Sequence, residues 1–328
     1  MKRTATPKDM VFLIDGSNTC FRVGWANKHL TNGGEPTGVI YGFVKELLAI
    51  WERWKDAKIA IAWDCKSKYR MALSKQAIAD GLITDKQGYY KQNRERKREK
   101  DEAEGKINEV AESIAIQKET LIEVLDMTLA CQFKVDGYEA DDIIGTLASI
   151  HDQKGDLVRI MSSDKDMYQL LSPNTSVWIP SGKGSMSYDQ FVGEYGIEPR
   201  QWIDIGAIAG DNGDNIHGVP GIAEKTALKM LAEAEDGLEV ERGTASYSDV
   251  IGWFEMKEKK KKKEQSLVDC RKLVDIAFDL KKIDTDIKCL EFIGYGKSDP
   301  RGLKKRFDDL GFQSIMNSTG LLTKRART

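Results

Sequence analysis

The sequence predicts an α/β protein: a central, mostly parallel sheet with helices on both faces, followed by a helical C-terminal region. Three observations carry this. Short apolar runs at Met10–Ile14, Ile59–Trp63 and Leu157–Met161 suit buried strands. Segments of helical period, Val39–Trp54 and Ile107–Leu129, stand between them, as parallel pairing requires. Each apolar run is closely followed by an aspartate, Asp15, Asp64 or Asp164, at the strand end where open α/β sheets bind ligands.

Taken in order, Met10–Ile14 delivers Asp15 to the sheet edge, and Gly16, Ser17 and Asn18 read as turn and cap residues. Val39, Phe43, Leu47, Ile50, Trp51 and Trp54 recur at helical spacing, and Ile59–Trp63 is a second buried strand. Tyr69–Gly105 differs in character. Lys91, Arg94, Arg96, Lys97, Arg98 and Lys100 crowd together just after Tyr89 and Tyr90. A solvated, partly disordered charged helix fits that run. So does a contact surface for phosphates with aromatics that stack on bases, and the residues alone leave both open. Ile107–Leu129 reads as a long amphipathic helix through Val110, Ile114, Leu121, Val124 and Leu125.

Gln132–Val135 reads as a short strand, and Glu139 opens a helix carrying Ile143, Ile144, Leu147 and Ile150. Glu139, Asp141 and Asp142 therefore fall in the first helical turn, where free N–H groups and the macrodipole favour negative charge. Asp164 and Asp166 follow the next strand. Helix capping accounts for one such pair. Two acid groups flanking one β-α-β unit repel each other unless something cationic lies among them, which points to one shared site.

Downstream, Val177–Ile179 reads as an edge strand between Pro173 and Pro180. A Gly/Ser-rich loop at Ser181–Ser185 follows, then helices at Phe191–Tyr195 and Trp202–Ala209. In GDNGDNIHGVPGIAEKTALKML, Gly210–Leu231, Asp211 and Asp214 add two acids. GVPGI before a helix starting near Glu224 is the pattern of a helix-hairpin-helix turn. Gly218 and Gly221 allow close backbone approach to a DNA phosphate, and helix N–H groups with Lys225 and Thr226 complete the cradle. An ordinary Gly/Pro helix–helix turn is the competing reading. Phe254–Gln265 is expected to be an exposed helix end or loop. Ser266–Leu280 is expected to be a helix packed on the body, and Leu321–Thr328 a disordered basic tail.

The 328 residues are 41% apolar and 31% charged, which allows a sizeable core in one large domain or two ordinary ones. The expected division is an α/β core over 1–180, including residues 68–105, and a helical region over 181–328 with the DNA-binding turn at about 206–232. No run approaches the roughly 18 apolar residues of a membrane span. Cys20, Cys65, Cys131, Cys270 and Cys289 are scattered and never spaced as CxxC. They suit a reducing cytoplasm and argue against a disulfide frame or a zinc site. The formal net charge of −2 decides nothing about nucleic acid, because acids and bases are segregated along the chain.

Six motifs stand in one order: FLIDGSNTCFR (Phe12–Arg22), AWDCKSKYR (Ala62–Arg70), YKQNR (Tyr90–Arg94), GYEADD (Gly137–Asp142), SSDKD (Ser162–Asp166) and GDNGDNIHGVPGIAEKTA (Gly210–Ala227). In these, over roughly Met10–Ala234, the chain resembles the flap endonucleases, or structure-specific 5′-nucleases. That family includes stand-alone bacteriophage enzymes and the nuclease domain of bacterial DNA polymerase I. The resemblance implies a divalent-metal-dependent 5′-3′ exonuclease and flap endonuclease that cuts near the junction of 5′ flaps and removes RNA primers. It implies that Asp15, Asp64, Glu139, Asp141 and Asp142 surround one divalent ion. Asp164 would lie between the ions, and Asp166, Asp211 and Asp214 around a second. Lys91 and Arg94 would meet the scissile phosphate at the base of a helical arch that DNA orders. Tyr90 would stack on the terminal base, and Arg22 and Arg70 would contact DNA. The GVPGI turn would grip the duplex and hold a potassium ion.

Two Mg²⁺ or Mn²⁺ ions suit hard oxygen ligands without His or Cys. Such a pair, about 4 Å apart, supports phosphodiester hydrolysis, with Lys91 and Arg94 neutralising the phosphate. The implied partners are a 5′ flap, a recessed 5′ end or an RNA–DNA hybrid, with replication proteins as candidates, for a cytoplasmic monomer without a membrane partner. Two departures stand out. Twenty-five residues separate Asp64 from Tyr90, with ALSKQAIADGLITDKQG as an apparent insertion. His217 stands where an arginine is common, which would make that contact pH-dependent. A PIN-like ribonuclease is one alternative, although it has no need of GVPGIAEKTA. A non-catalytic DNA-junction binder is another, although it could lose acids freely.

Overall fold

Strand β1 (Met10–Asp15) leads into helix α1 (Gly16–Ala26), a small hairpin of β2 (Thr31–Asn32) and β3 (Glu35–Pro36), helix α2 (Gly38–Arg53) and strand β4 (Lys58–Ala62). Helices α3 (Lys68–Ala79), α4 (Gln92–Ala103) and α5 (Glu109–Asp126) precede β5 (Cys131–Phe133), α6 (Ala140–Gln153) and β6 (Leu157–Met161). A 3₁₀ turn at Lys165–Leu170, β7 (Thr175–Trp178) and β8 (Ser185–Met186) complete the sheet. Next come α7 (Tyr188–Tyr195), α8 (Trp202–Ala209), the hairpin β9 (Gly210–Asp211) and β10 (Ile216–His217), and α9 (Glu224–Leu238). The chain ends through α10 (Tyr247–Met256), α11 (Lys262–Asp269), α12 (Arg271–Lys281), α13 (Pro300–Asp309), α14 (Gln313–Met316) and α15 (Thr319–Thr323). This computed structural model describes residues 9–105, 108–178, 184–288, 290 and 295–324. The expected helix start at Ile107, the end of the edge strand at Ile179, loop residues 181–183 and tail residues 325–328 lie outside the described residues.

The sheet order is β5-β4-β1-β6-β7-β8, parallel except for the antiparallel β8. Side chains alternate between its faces. Val11, Leu13, Ala60, Val158 and Ile160 face a core shared with α6, α8, α9, α10 and α12. Phe12, Ile14, Ile59, Ile61 and Met161 face a second core shared with α1, α2 and α5. Helices thus cover both faces, as two-sided apolar strands demand. The last helices close the second face: Leu303, Phe307, Phe312, Ile315 and Leu322 join that core. Removing any of these side chains to Ala would cost about 2–5 kcal/mol.

Some local readings change. Gly16–Asn18, expected as turn and cap residues, is the first turn of α1, and Asp15 is its N-cap, accepting the Asn18 N–H at 2.9 Å. Glycine is needed there because a Cβ at Gly16 would lie 2.7 Å from the Trp63 indole. The helix expected over Ser266–Leu280 breaks at Cys270 into α11 and α12. The charged run forms α4, a helix with no buried residue. A helix polar all round gains little from packing, so its position depends on the residues that tether its base. Among the described residues no helix is long and apolar enough to cross a membrane.

Candidate active site

The chain passes from β5 at one edge to β6 on the far side of β1. Strand order therefore reverses at the β1/β6 crevice, the place where such sheets bind ligands. Register aligns the acids there. Asp15 pairs with Ala62 across β1 and β4, and Ile14 pairs with Met161 across β1 and β6. Asp64 and Asp164 therefore emerge just past the strand ends beside Asp15.

The nine expected acids fall into three groups. In the first, Asp15 is 7% exposed. Burial, and then the charges of Asp64 and Asp164, push its carboxyl up to about 7. Burial likewise raises Asp141 well above the usual range, with Asp15, Asp164 and Asp64 adding to it and Lys91 opposing. These four carboxylates thus face one cleft. Asp64 also accepts the Ala140 N–H at 3.0 Å, at the start of α6, and Asp164 accepts the Asp166 N–H at 2.8 Å. Among the described residues, no three or more His, Cys, Asp or Glu side chains converge closely enough to hold an ion in this arrangement. The chemistry of the set still suits one. Asp15 and Asp141, pushed up by burial and by the Asp64 and Asp164 charges, are relieved by a hard divalent cation.

The second group is Asp166 and Asp211, bridged by Lys281. Its Nζ lies 2.7 Å from Asp166 Oδ1 and 3.0 Å from Asp211 Oδ2. Burial, and then the Asp164 charge, pushes the Asp166 carboxyl up to about 6 even though Lys281 opposes it. Lys281 was not anticipated from the sequence. The available signal was a lysine in register with Val274 and Ala277 on the apolar face of α12.

The third group, Glu139, Asp142 and Asp214, is engaged by cations and a tyrosine. Asp142 takes two 2.7 Å bonds from Arg70 and further bonds from the Glu139 and Asp284 N–H groups. It is 2% exposed, so its oxygens are used internally. Glu139 Oε2 accepts from the Tyr90 hydroxyl at 2.8 Å and from Lys91 Nζ at 2.9 Å. Asp214 accepts from Tyr90 at 3.2 Å, lies 3.7 Å from Lys91 Nζ and pairs with Arg94. Burial disfavours the Lys91 ammonium, but Glu139 and Asp214 outweigh it and raise its pKa. Lys91 stays charged at the mouth of the acid cleft.

Three residues expected to contact DNA have a different place. Arg70 is 6% exposed and donates to Asp142 and to the Leu280 and Lys282 carbonyls at 3.0 and 2.7 Å. It clamps α12 to α6 inside the protein. Tyr90 is 5% exposed, so its ring is not presented for stacking on a base. Arg22, on α1, is half-buried and paired with Glu46 of α2 at 2.7 Å. The expected insertion is accounted for by α3 and the turns after it, with Ala77 and Ile83 buried.

The base of α4 is tied to the β9–β10 loop. Asn215 Nδ2 donates to the Gln87 and Tyr89 carbonyls at 3.1 and 2.8 Å. The Lys91 N–H donates to the Asp214 carbonyl at 2.8 Å, and Asn93 Nδ2 to Asn212 at 2.6 Å. Lys91 and Asn215 both take left-handed φ of 57° to make this junction. Beyond it, Gly218 meets Gly210 so closely that a Cβ would lie 2.3 Å from backbone. Gly218 thus closes the hairpin. Gly221, at φ 80° with open space around it, is free for a ligand to approach. Lys225 is exposed, Thr226 half-buried, and no side chain caps α9. Burial pushes the His217 imidazole down, outweighing its bond with the Gly88 backbone.

An acid-lined strand edge faced by a half-buried lysine, beside a glycine turn that opens a helix, suits an enzyme that handles phosphates. Family models identify which. The 5′-3′ exonuclease N-terminal resolvase-like domain matches residues 10–196, and the 5′-3′ exonuclease C-terminal SAM fold matches residues 197–294. The chain belongs to the 5′-3′ exonuclease family and is a nuclease. It is 31% identical over 318 residues to the thermostable DNA polymerase I of Thermus thermophilus, covering 96% of this chain and 34% of that protein. It is 30% identical over 322 residues to DNA polymerase I of Bacillus subtilis, covering 96% and 33%. The chain therefore spans about a third of the length of these curated relatives. Its fold is similar to that of bacteriophage T5 5′-exonuclease with bound zinc, at a TM-score of 0.61 and 19% identity over 94% of this chain and 96% of that one. It is also similar to the T5 flap endonuclease in a complex with DNA and metal ions, at 0.64 and 19% over the same shares. The catalytic core of Rad2 with a DNA substrate matches at 0.55 and 14%, over 96% and 93%.

Proposed function

We propose that this nuclease is a divalent-metal-dependent, structure-specific 5′-nuclease, cutting near the junction of 5′ flaps, at recessed 5′ ends and on RNA–DNA hybrids during replication or repair. The observation that carries the reading is the set Asp15, Asp64, Asp141 and Asp164 gathered at the β1/β6 crevice, with Lys91 beside it. Neutral nucleophilic or metal-free chemistry has no use for Asp64 and Asp164 crowding against Asp15 and Asp141, whose carboxyls their charges help push up. Of the other sequence-identified acids, Glu139, Asp166, Asp211 and Asp214 complete the surroundings, while Asp142 stands behind them, bound by Arg70. Two ions, Mg²⁺ or Mn²⁺, would supply the nucleophilic hydroxide and stabilise the leaving oxygen.

The chain's own residues supply the rest. Lys91, held by Glu139 and Asp214, keeps a cation at the cleft where a phosphate must enter, and Arg94 stands beside it. Tyr90 fixes Glu139 and Asp214 relative to each other. The free N–H groups of α9, with Gly221, Lys225 and Thr226, suit a duplex phosphate, and carbonyls of the same turn suit a potassium ion. The reading includes a nuclease core over 1–180 and a helical region over 181–328. It also takes the chain as a cytoplasmic monomer with replication proteins as partners.

The test is cleavage of a 5′-labelled flap with Mg²⁺ or Mn²⁺, beside an EDTA control and a single-stranded RNA. Cutting near the junction that EDTA abolishes is the expected result. Binding without cutting would favour a junction binder, and preferred cutting of RNA a PIN-like ribonuclease.

A further inference from the structure

The C-terminal end of α12 touches both acid systems. Its Leu280 and Lys282 carbonyls hold Arg70, and Arg70 holds Asp142. The carbonyl of Lys281 accepts from Gln169, on the 3₁₀ turn after Asp164. Lys281 Nζ reaches into the crevice between Asp166 and Asp211. Its side chain is only 5% exposed. Its stem lies along α8 at Gly206, where a Cβ would stand 2.7 Å from both Cδ and Cε. A surface lysine that happens to pair does not have a groove cut for its stem, and a burial this deep requires charge partners.

We propose that Lys281 is a resident counter-cation of the Asp166–Asp211 pair, so that a second divalent ion binds there only by displacing its ammonium group. A divalent ion held by Asp166 and Asp211 and Nζ within 3.0 Å of both cannot share that space. The ammonium neutralises the pair while no ion is bound and keeps Asp166 and Asp211 at a fixed spacing. It thereby sets the metal concentration at which this half of the site fills, leaving the Asp15 group to fill first. Lys281 acts through its neighbours as a positioning residue. This inference rests on the metal-dependent reading above.

The test is metal binding without DNA or turnover, by Mn²⁺ titration followed by electron paramagnetic resonance. Wild type is expected to show one tighter and one weaker Mn²⁺ site. Lys281→Met keeps the stem in the groove and removes the charge. The weaker site should then tighten by at least about tenfold, the scale of ~1.4 kcal/mol, with the tighter site unchanged. Gly206→Ala, which crowds the stem and leaves the lysine in the chain, should shift the weaker site in the same direction and serves if the Met variant does not fold. An unchanged or weakened second site in a folded variant overturns the proposal. If wild type and both variants bind no Mn²⁺, the metal-dependent reading fails instead.

Discussion

Replacing Arg70 separates the two roles open to it. In the folded chain its guanidinium donates to Asp142 through two 2.7 Å bonds, lies 3.4 Å from Glu139 and holds two carbonyls at the end of α12. Arg70→Ala would leave Asp142 buried without its counter-ion. Breaking a buried pair from one side costs about 3–5 kcal/mol, a large share of the roughly 5–15 kcal/mol that holds a domain together. Arg70→Lys should recover only part of this, because a point charge cannot reproduce the two-pronged contact. Arg70→Ala combined with Asp142→Ala should lose less than the sum of the single losses. The assay is urea unfolding in EDTA followed by tryptophan fluorescence, with flap affinity measured on the folded variant. A stability change under about 1 kcal/mol with a large loss of flap affinity would refute the internal-clamp assignment and restore Arg70 as a DNA contact.

Other predictions follow from the same geometry. Lys91→Ala should slow single-turnover flap cleavage by about 10²–10³, the usual loss for one charge-stabilising donor, while flap affinity changes far less. An effect on affinity alone would make Lys91 a simple phosphate contact. Asn215→Ala should release the base of α4, raising amide exchange at residues 87–94; unchanged exchange would mean that the β9–β10 loop does not tether it. In EDTA, stability should fall as pH rises. Asp15 binds its proton up to about 7 when folded against 3.8 as a free group. Its contribution is therefore complete below about pH 4 and lost as pH rises through 7, by up to about 4 kcal/mol. Thermal unfolding at pH 5 and pH 8 measures this, and a midpoint that climbs with pH in EDTA would contradict it.

Asp15, Asp64 and Asp164 were legible because each follows an apolar run, and strand burial leaves a period and length that sequence records. Leu157–Met161 and Trp202–Ala209 have the predicted bounds for that reason. Helix α1 was hidden because its first-turn residues, Gly16 to Asn18, also make turns. The Arg70 and Tyr90 contacts were hidden for a different reason. Their partners, Leu280, Lys282 and Asp214, lie far along the chain, and nothing local marks a buried cation. Lys281 was hidden the same way, on a helix whose docking surface is formed by α8 and α3. The sequence also could not foretell that α13 to α15 return to the opposite face of the sheet.

The most direct test of the catalytic assignment is Asp164→Asn against wild type on one 5′-flap substrate with Mg²⁺. Single-turnover cleavage and equilibrium binding should be measured on the same DNA. Asp164 stands at the β1/β6 crevice, where its charge bears on both Asp15 and Asp141. Cleavage should be nearly abolished while flap affinity persists. Cleavage close to wild type would contradict the claim that this strand edge is the catalytic centre.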